Sequence, residues 1–543
     1  MRSTHHANRS VTALCRGTLA ALLVTLLAAG CGDDDAMTMP RDGGGTPDAD
    51  AGTPPDDGGL PPDDGATPDD AGDAGPPREA DIREVLDCAM PMGVTGMGRP
   101  GELQLHQMST ERFPDALCND GTPAVMRYRP YRGEENRNRW VIALRGGGFC
   151  EGGRACAARW CACNSTERCP FAENTTNFTA DNMSGGGGRS ADTGGVLRRD
   201  GQPNPVADFN HVELVYCSSD SWTGRARGVT YTTPHPRTGD EVTYTLHFLG
   251  ARIFEAGIST LRQDGGGALA YTLDGASVPM PDLDEATQVL LEGDSAGGAG
   301  VIHHLDHLGD ILREHHVGAG DGPEIAGLID AVTGPDWSRL DWSQSVGAAA
   351  GVDTYAEVMA YIAGSAVRAV AFQEESCVRW HMENEPESVS ECLDETHLVR
   401  HHVTTPFFVR MALLDQLIAS NYEGAGLIDP ELGPFVSEEV GSGMRLPLTF
   451  ARVLQRELAA FPMLPETAEE GAEMTRAPGV FAPACSKHDT IHTDTEVYGV
   501  TITPPGTTEP LRLFDVLGNW QRGLDPSAVL TMDPMRADTV CMP

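Results

Sequence analysis

The sequence predicts an α/β fold, a mostly parallel sheet flanked by helices. Two observations carry that prediction. Short apolar runs at 140–144, 212–216, 289–291, 326–329 and 407–411 are dominated by Val, Leu, Ile, Ala and Phe, as strands covered on both faces are. Helix-length segments at 249–261, 296–312 and 446–458 lie between and after them, and strands alternating with helices make a parallel sheet with helices on both sides. In such sheets function gathers at the carboxyl ends of the strands.

In chain order, Arg2, Arg9 and Arg16 come before or at the edge of an apolar stretch over 19–29, too short to span a bilayer and flanked like an export signal. The stretch ends in small residues before Cys31, the pattern of a bacterial lipoprotein signal (1–30) whose Cys31 is acylated after cleavage. Residues 31–78 are almost entirely Asp, Pro, Gly, Ala and Thr, with thirteen Asp and no Glu, and cannot bury enough apolar surface to offset the entropy of ordering. They are expected to form a disordered acidic tether. Residues 79–543 contain no comparable linker and no repeat, and are read as one large domain with elaborate loops.

Charge excludes several partners. The 543 residues carry a formal net charge of −40, with 79 acids against 39 bases, and no basic patch stands out. Phosphate backbones and anionic membrane surfaces are repelled by such a chain, so no nucleic acid is expected as partner and membrane contact is expected only through the lipid at Cys31. Of the 14 Cys, one lies in the signal and one is Cys31. The even number left in an exported protein reads as disulfides, with Cys150–Cys156, Cys118–Cys217 and Cys377–Cys392 as candidate pairs.

The segment 289–298 carries the chemistry. A strand runs into Gly293-Asp294-Ser295-Ala296-Gly297 and then a helix, the strand–turn–helix context in which Gly-x-Ser-x-Gly exposes a serine hydroxyl. A nucleophilic serine needs a base, an acid that orients the base, and donors for the oxyanion. Gly146-Gly147-Gly148 after the strand at 140–144 leaves backbone N–H groups unobstructed, Asp415 follows the strand at 407–411, and both His488 and His492 lie late in the chain. Spacing alone does not choose between the two histidines.

Six segments together resemble, in the same order, the pectin acetylesterase/Notum family of serine carboxylesterases: 118–122, 144–150, 216–224, 293–298, 405–415 and 481–488. The resemblance implies an α/β-hydrolase-like fold with elaborated disulfide-bonded loops, an esterase domain over 79–543, no metal and no organic cofactor. It implies hydrolysis of oxygen esters, acetyl from pectin in the plant branch and palmitoleoyl from a Wnt serine in the animal branch. Carried over residue by residue, it makes Ser295 the nucleophile, His488 the general base and Asp415 its orienting acid, with the N–H groups of Gly147, Gly148 and Ala296 as oxyanion donors. Phe149, Trp222 and Phe408 become candidates for the substrate pocket.

This chain departs from the family in having Arg145 where Glu is usual. Gly148 matches the plant branch, whereas 216–222 matches the animal one. The expected substrate is an acylated carbohydrate or other ester, most simply an acetylated polysaccharide. The alternatives are a longer-chain, Notum-type deacylase or an inactive lipoprotein that binds a glycan or protein.

Two clusters invite a metal reading and are set aside. Cys150, Cys156, Cys161, Cys163 and Cys169 lack paired Cys-x2-Cys modules, and His303, His304 and His307 lack the Glu of a zincin helix. Gly185 to Gly188 is not followed by the Lys-Ser/Thr of a phosphate cradle, and the Asn-x-Ser/Thr matches at Asn164, Asn174, Asn177 and Asn182 matter only in a eukaryotic secretory route.

Overall fold

The computed structural model describes residues 80–88, 103–163, 180–185, 194–263, 269–273, 275–318, 320–348, 351–440, 444–461, 476–488, 490–504 and 506–530. The export signal, Cys31, the tether, Cys169, Asn164, Asn174, Asn177 and Gly186 to Gly188 lie outside them.

Among the described residues, nine strands form the central sheet: β1 Gln104–Gln107, β2 Val125–Arg129, β3 Arg139–Leu144, β4 Asn210–Leu214, β5 Gln288–Asp294, β6 Glu324–Asp330, β7 Phe407–Arg410, β8 Gly479–Ala482 and β9 Ala528–Leu530. Their order is β1-β2-β4-β3-β5-β6-β7-β8-β9. From β4 to β9 every neighbouring pair is parallel, whereas β1/β2 and β2/β4 are antiparallel. The fold is α/β-hydrolase-like, as the sequence predicts. The antiparallel edge adds to that prediction, because β1 and β2 carry Gln, His and Arg and do not read as doubly buried runs.

The apolar strands are covered on both faces. Along β3, Trp140, Ile142 and Leu144 enter one core while Val141 and Ala143 enter the other, the period of two that a pleated strand imposes. Val289 and Leu291 on β5 join the first core, and Leu290 joins the second. Helix α1 (Gly250–Leu261), α2 (Ala296–Glu314) and α3 (Leu448–Leu458) supply the first core, each close to the length its sequence predicts. The last begins at Leu448 because Met444–Leu446 forms a short strand ahead of Pro447, whose ring sets φ and removes an N–H.

A third core sits under a long hairpin, Ala226–Pro234 with Glu241–Phe248. Among the described residues, four disulfides join pairs of cysteines and tie loops to this frame: Cys88–Cys161, Cys118–Cys217, Cys150–Cys156 and Cys377–Cys392, with Cα–Cα distances of 5.2, 5.0, 5.1 and 5.8 Å. No described helix is long and apolar enough to cross a membrane.

Candidate active site

The site forms where β3, β5, β7 and β8 end. At the end of β5 the backbone turns at Ser295 with φ 53° and ψ −122°, a strained conformation for a residue bearing a Cβ, and α2 starts at Ala296. The flanking glycines are required by space. A Cβ on Gly293 would lie 2.3 Å from the Gly297 carbonyl oxygen, and one on Gly297 would lie 1.9 Å from that of Leu144. The turn is therefore pressed against the end of β3, and the Ser295 N–H donates to the Asp330 carbonyl at 2.8 Å. Ser295 is half-buried at the surface of the turn.

His488 reaches this serine from the loop after β8. Its Nε2 is 2.9 Å from Ser295 Oγ and its Nδ1 is 2.8 Å from Asp415 Oδ2. A neutral imidazole with its proton on Nδ1 satisfies both contacts, donating to the carboxylate and accepting from the hydroxyl. Asp415 is fully buried, and its other oxygen accepts from the N–H groups of Leu417 and Ile418, both at 3.0 Å, capping the helix Gln416–Ala425. The two loops run side by side, with the N–H groups of Leu413 and Leu414 donating to the carbonyls of Pro483 and Cys485 at 2.9 Å.

Sequence reasoning missed Asp330, the last residue of β6. Its Oδ2 accepts from the N–H groups of Thr490 and Ile491 at 2.7 and 3.0 Å, and its Oδ1 accepts from Arg410 at 3.0 Å. Together with its carbonyl on Ser295 N–H, this residue ties the serine turn to the chain just beyond His488. The one signal available to the sequence was an acid at the end of a buried strand, which any of many Asp shares.

The glycine loop lies beside the serine turn. Gly146 N–H donates to Asp294 Oδ1 at 3.1 Å, and a Cβ on Gly146 would lie 3.1 Å from Ser295 Cβ. Gly147 and Gly148 have φ of 144° and 61°, positions that favour glycine. Among the described residues, the N–H groups of Gly147, Gly148 and Ala296 meet no protein acceptor. Cys150 N–H donates to the Ser219 carbonyl at 3.1 Å, and the bond to Cys156 holds the end of the loop.

Two of the three pocket candidates are corrected. Trp222 is fully buried, its indole N–H donating to the Arg145 carbonyl at 3.0 Å and its ring centroid 5.3 Å from that of Tyr216. A Cβ on Gly300 would come within 2.8 Å of it, so Trp222 is packed under the glycine loop and against α2. Phe408 is also fully buried, in the second core, with its ring centroid 5.6 Å from that of Trp520. Neither exposes surface to a ligand. Phe149 is half-buried, with the Arg368 guanidinium 5.7 Å from its ring centroid, and stays a candidate.

His492, the rival base, sits in a buried charge cluster. Its Nε2 lies 3.1 Å from Glu292 Oε2 and 3.5 Å from Asp294 Oδ1. Burial and Arg145 push its pKa down, but Glu292 and Asp294 outweigh them and hold it above the ordinary histidine value. Burial raises Glu292; Asp294, also raised by burial, is pulled below the ordinary carboxylate value by Arg145, His492 and Gly146 N–H. Arg145 in turn lies 3.8 Å from Glu213, which pairs with Arg127 at 2.9 Å. Arg145 thus compensates the buried acids behind the serine.

Of the helix histidines, His303 and His304 are core residues, whereas His307 is half-buried. His304 is stacked between Phe254 and Phe372, at 4.2 and 4.5 Å, and His303 is buried 3.8 Å from Glu395. Asn182 is buried, out of reach of a glycan.

Residues 99–521 match the family model described as Pectinacetylesterase. The chain belongs to that family. Among curated relatives of this pectinacetylesterase-family protein, the palmitoleoyl-protein carboxylesterase NOTUM of Drosophila melanogaster is 31% identical over 196 residues, 36% of this chain and 23% of the relative. The palmitoleoyl-protein carboxylesterase notum1a of Danio rerio is 30% identical over 217 residues, 39% of this chain and 33% of the relative. The alignments thus span about a quarter to a third of those relatives' own lengths. The structure of the Wnt deacylase Notum from Drosophila covers 80% of this chain and 97% of its own at a TM-score of 0.51 and 20% identity, which establishes a shared fold.

Proposed function

We propose that this family member is a serine carboxylesterase that removes an acyl group, most simply acetyl, from an oxygen ester of a polysaccharide or related alcohol. The observation that carries the reading is the continuous hydrogen-bonded chain from Ser295 Oγ through His488 to the buried Asp415, set on a strained turn after β5. In this reading Ser295 Oγ attacks the ester carbonyl as its proton passes to His488 Nε2. Asp415 stabilises the imidazolium, and the N–H groups of Gly147, Gly148 and Ala296 receive the oxyanion. The imidazolium then protonates the departing alkoxide. Water, deprotonated by His488, cleaves the acyl-enzyme and returns the free acid.

We infer further that the chain is exported and held at the cell envelope by a lipid on Cys31. The apolar stretch, the small residues before Cys31 and the acidic tether support this.

The test is hydrolysis of p-nitrophenyl esters from acetate to decanoate by the wild type beside Ser295→Ala. Rates falling steeply beyond acetate, with a loss of several orders of magnitude in the variant, are expected. A maximum at long chains would favour a Notum-type deacylase, for which the names of the relatives speak. Activity that survives in Ser295→Ala would sink the assignment, and a folded wild type without turnover would move it to a binding protein.

A further inference from the structure

Away from the serine, three histidines converge on one point. His381 lies on the helix Glu375–Asn384, His397 on the helix Glu395–His401, and His402 caps the end of the latter. His397 Nε2 is 3.1 Å from His381 Nε2 and 3.0 Å from His402 Nε2. The ring centroids are 5.2, 5.5 and 4.9 Å apart and the planes are inclined at 42°, 47° and 49°, a nearly threefold arrangement. All three are buried.

Hydrogen bonding alone does not satisfy this arrangement. A neutral imidazole nitrogen carries either one N–H or one lone pair, so His397 Nε2 cannot make a well-formed bond to both neighbours. A divalent ion at the centre satisfies all three nitrogens at once.

We propose that His381, His397 and His402 form a structural Zn²⁺ site. Three imidazoles suit zinc, and Zn–N bonds of about 2.0–2.1 Å in tetrahedral geometry set neighbouring nitrogens roughly 3.3–3.4 Å apart, a few tenths wider than found here. The Cys377 sulfur belongs to the same cluster, but it is bonded to Cys392 and is no thiolate, so the fourth position falls to water. Glu391 Oε2 lies 3.9 Å from His397 Nδ1, and Glu385 and Asp336 add negative potential at His381 and His397.

The ion would fasten the 375–402 segment beside the disulfide. That segment leads into β7 through Thr404 and Thr405, whose N–H groups donate to Asp306 of α2 at 2.8 Å. Its role is to hold a lobe over the serine helix, with no part in the ester chemistry.

The experiment is elemental analysis of the full-length protein purified without chelator, and thermal unfolding with added Zn²⁺ or EDTA under non-reducing conditions. About one zinc per chain is expected, with unfolding shifted upward by zinc and downward by EDTA. His397→Asn and His381→Asn should lose the metal and the shift, whereas His401→Asn, a neighbouring ring outside the set, should keep both. Should the variants fail to fold, Co²⁺ titration of the metal-free wild type decides, because intense visible bands mark a low-symmetry nitrogen site. A wild type with no zinc, no thermal response and no Co²⁺ bands overturns the proposal, as does zinc retained undiminished in folded His397→Asn.

Discussion

Asp415 performs two tasks with its two oxygens, and substitutions can separate them. Oδ2 holds His488 and Oδ1 caps the helix Gln416–Ala425. Asp415→Asn keeps a side-chain oxygen for the cap but presents an amide to Nδ1, favouring the wrong imidazole tautomer. A loss of roughly 10⁴-fold in kcat, with little change in stability, is the expected outcome. Asp415→Ala should lose the same activity and about 1 kcal/mol of stability besides. Ester hydrolysis and denaturant unfolding of both variants check this; equal stability losses would show that the cap is not what Oδ1 contributes.

The serine turn functions as an element because three strand ends and a helix start meet there. Gly297 sits where a Cβ would overlap the Leu144 carbonyl, so Gly297→Ala must push β3 and its glycine loop away from Ser295. Gly424, by contrast, is exposed on a helix where an added Cβ would meet nothing within 4 Å, and Gly424→Ala adds helix propensity alone. Gly297→Ala is expected to cost at least tenfold in kcat/KM and destabilise by about 1–3 kcal/mol, whereas Gly424→Ala should stabilise by about 0.5–1 kcal/mol at unchanged activity. Paired melts and rates on both variants measure it. An active, stable Gly297→Ala would mean that the turn tolerates displacement.

At the scale of the whole molecule, buried titratable groups make stability depend on pH. Burial pushes Asp220 up to about 6 despite its hydrogen bonds from Ser218, Gly250 and Trp222. The folded state therefore binds a proton that the unfolded chain has already lost above the ordinary aspartate value of 3.8, and stability falls as pH rises from about 4 to 6. His492, raised overall, acts in the same direction: its contribution is complete below the ordinary histidine value and is lost as pH rises through the higher folded value. Carboxyls held low, such as Asp294 and Asp429, act oppositely, but only where pH falls below their ordinary range. Buried histidines held low, among them His211, His304 and His397, act oppositely as well, losing stability as pH falls below the ordinary histidine value of 6.5. The Asp220 contribution is therefore read by difference: the stability of wild type relative to Asp220→Asn is expected to fall as pH rises from 4 to 6, and a difference that is flat or rises over that range would refute this account.

The strands at 140–144, 289–291, 326–329 and 407–411 were legible because doubly buried parallel strands read as continuous apolar runs, and the serine turn because its glycines obey a short-range steric rule. Those features are local, so the chain by itself determined the fold class, the serine turn and the family. The antiparallel edge was not legible, since the Gln and His of β1 and the two Arg of β2 interrupt any continuous apolar run. Nor was the environment of Trp222 and Phe408, since an aromatic beside a glycine loop or in a strand looks the same whether it lines a pocket or fills the core. His488 and His492, four residues apart, differ in what faces them across the fold, a hydroxyl for one and two buried carboxylates for the other. Asp330 and the meeting of His381, His397 and His402 depend in the same way on contacts between residues distant in sequence. Tertiary packing alone decides such convergence, because steric rules along a chain act over a few residues, whereas a site is assembled by whichever strand ends and helices the core draws together.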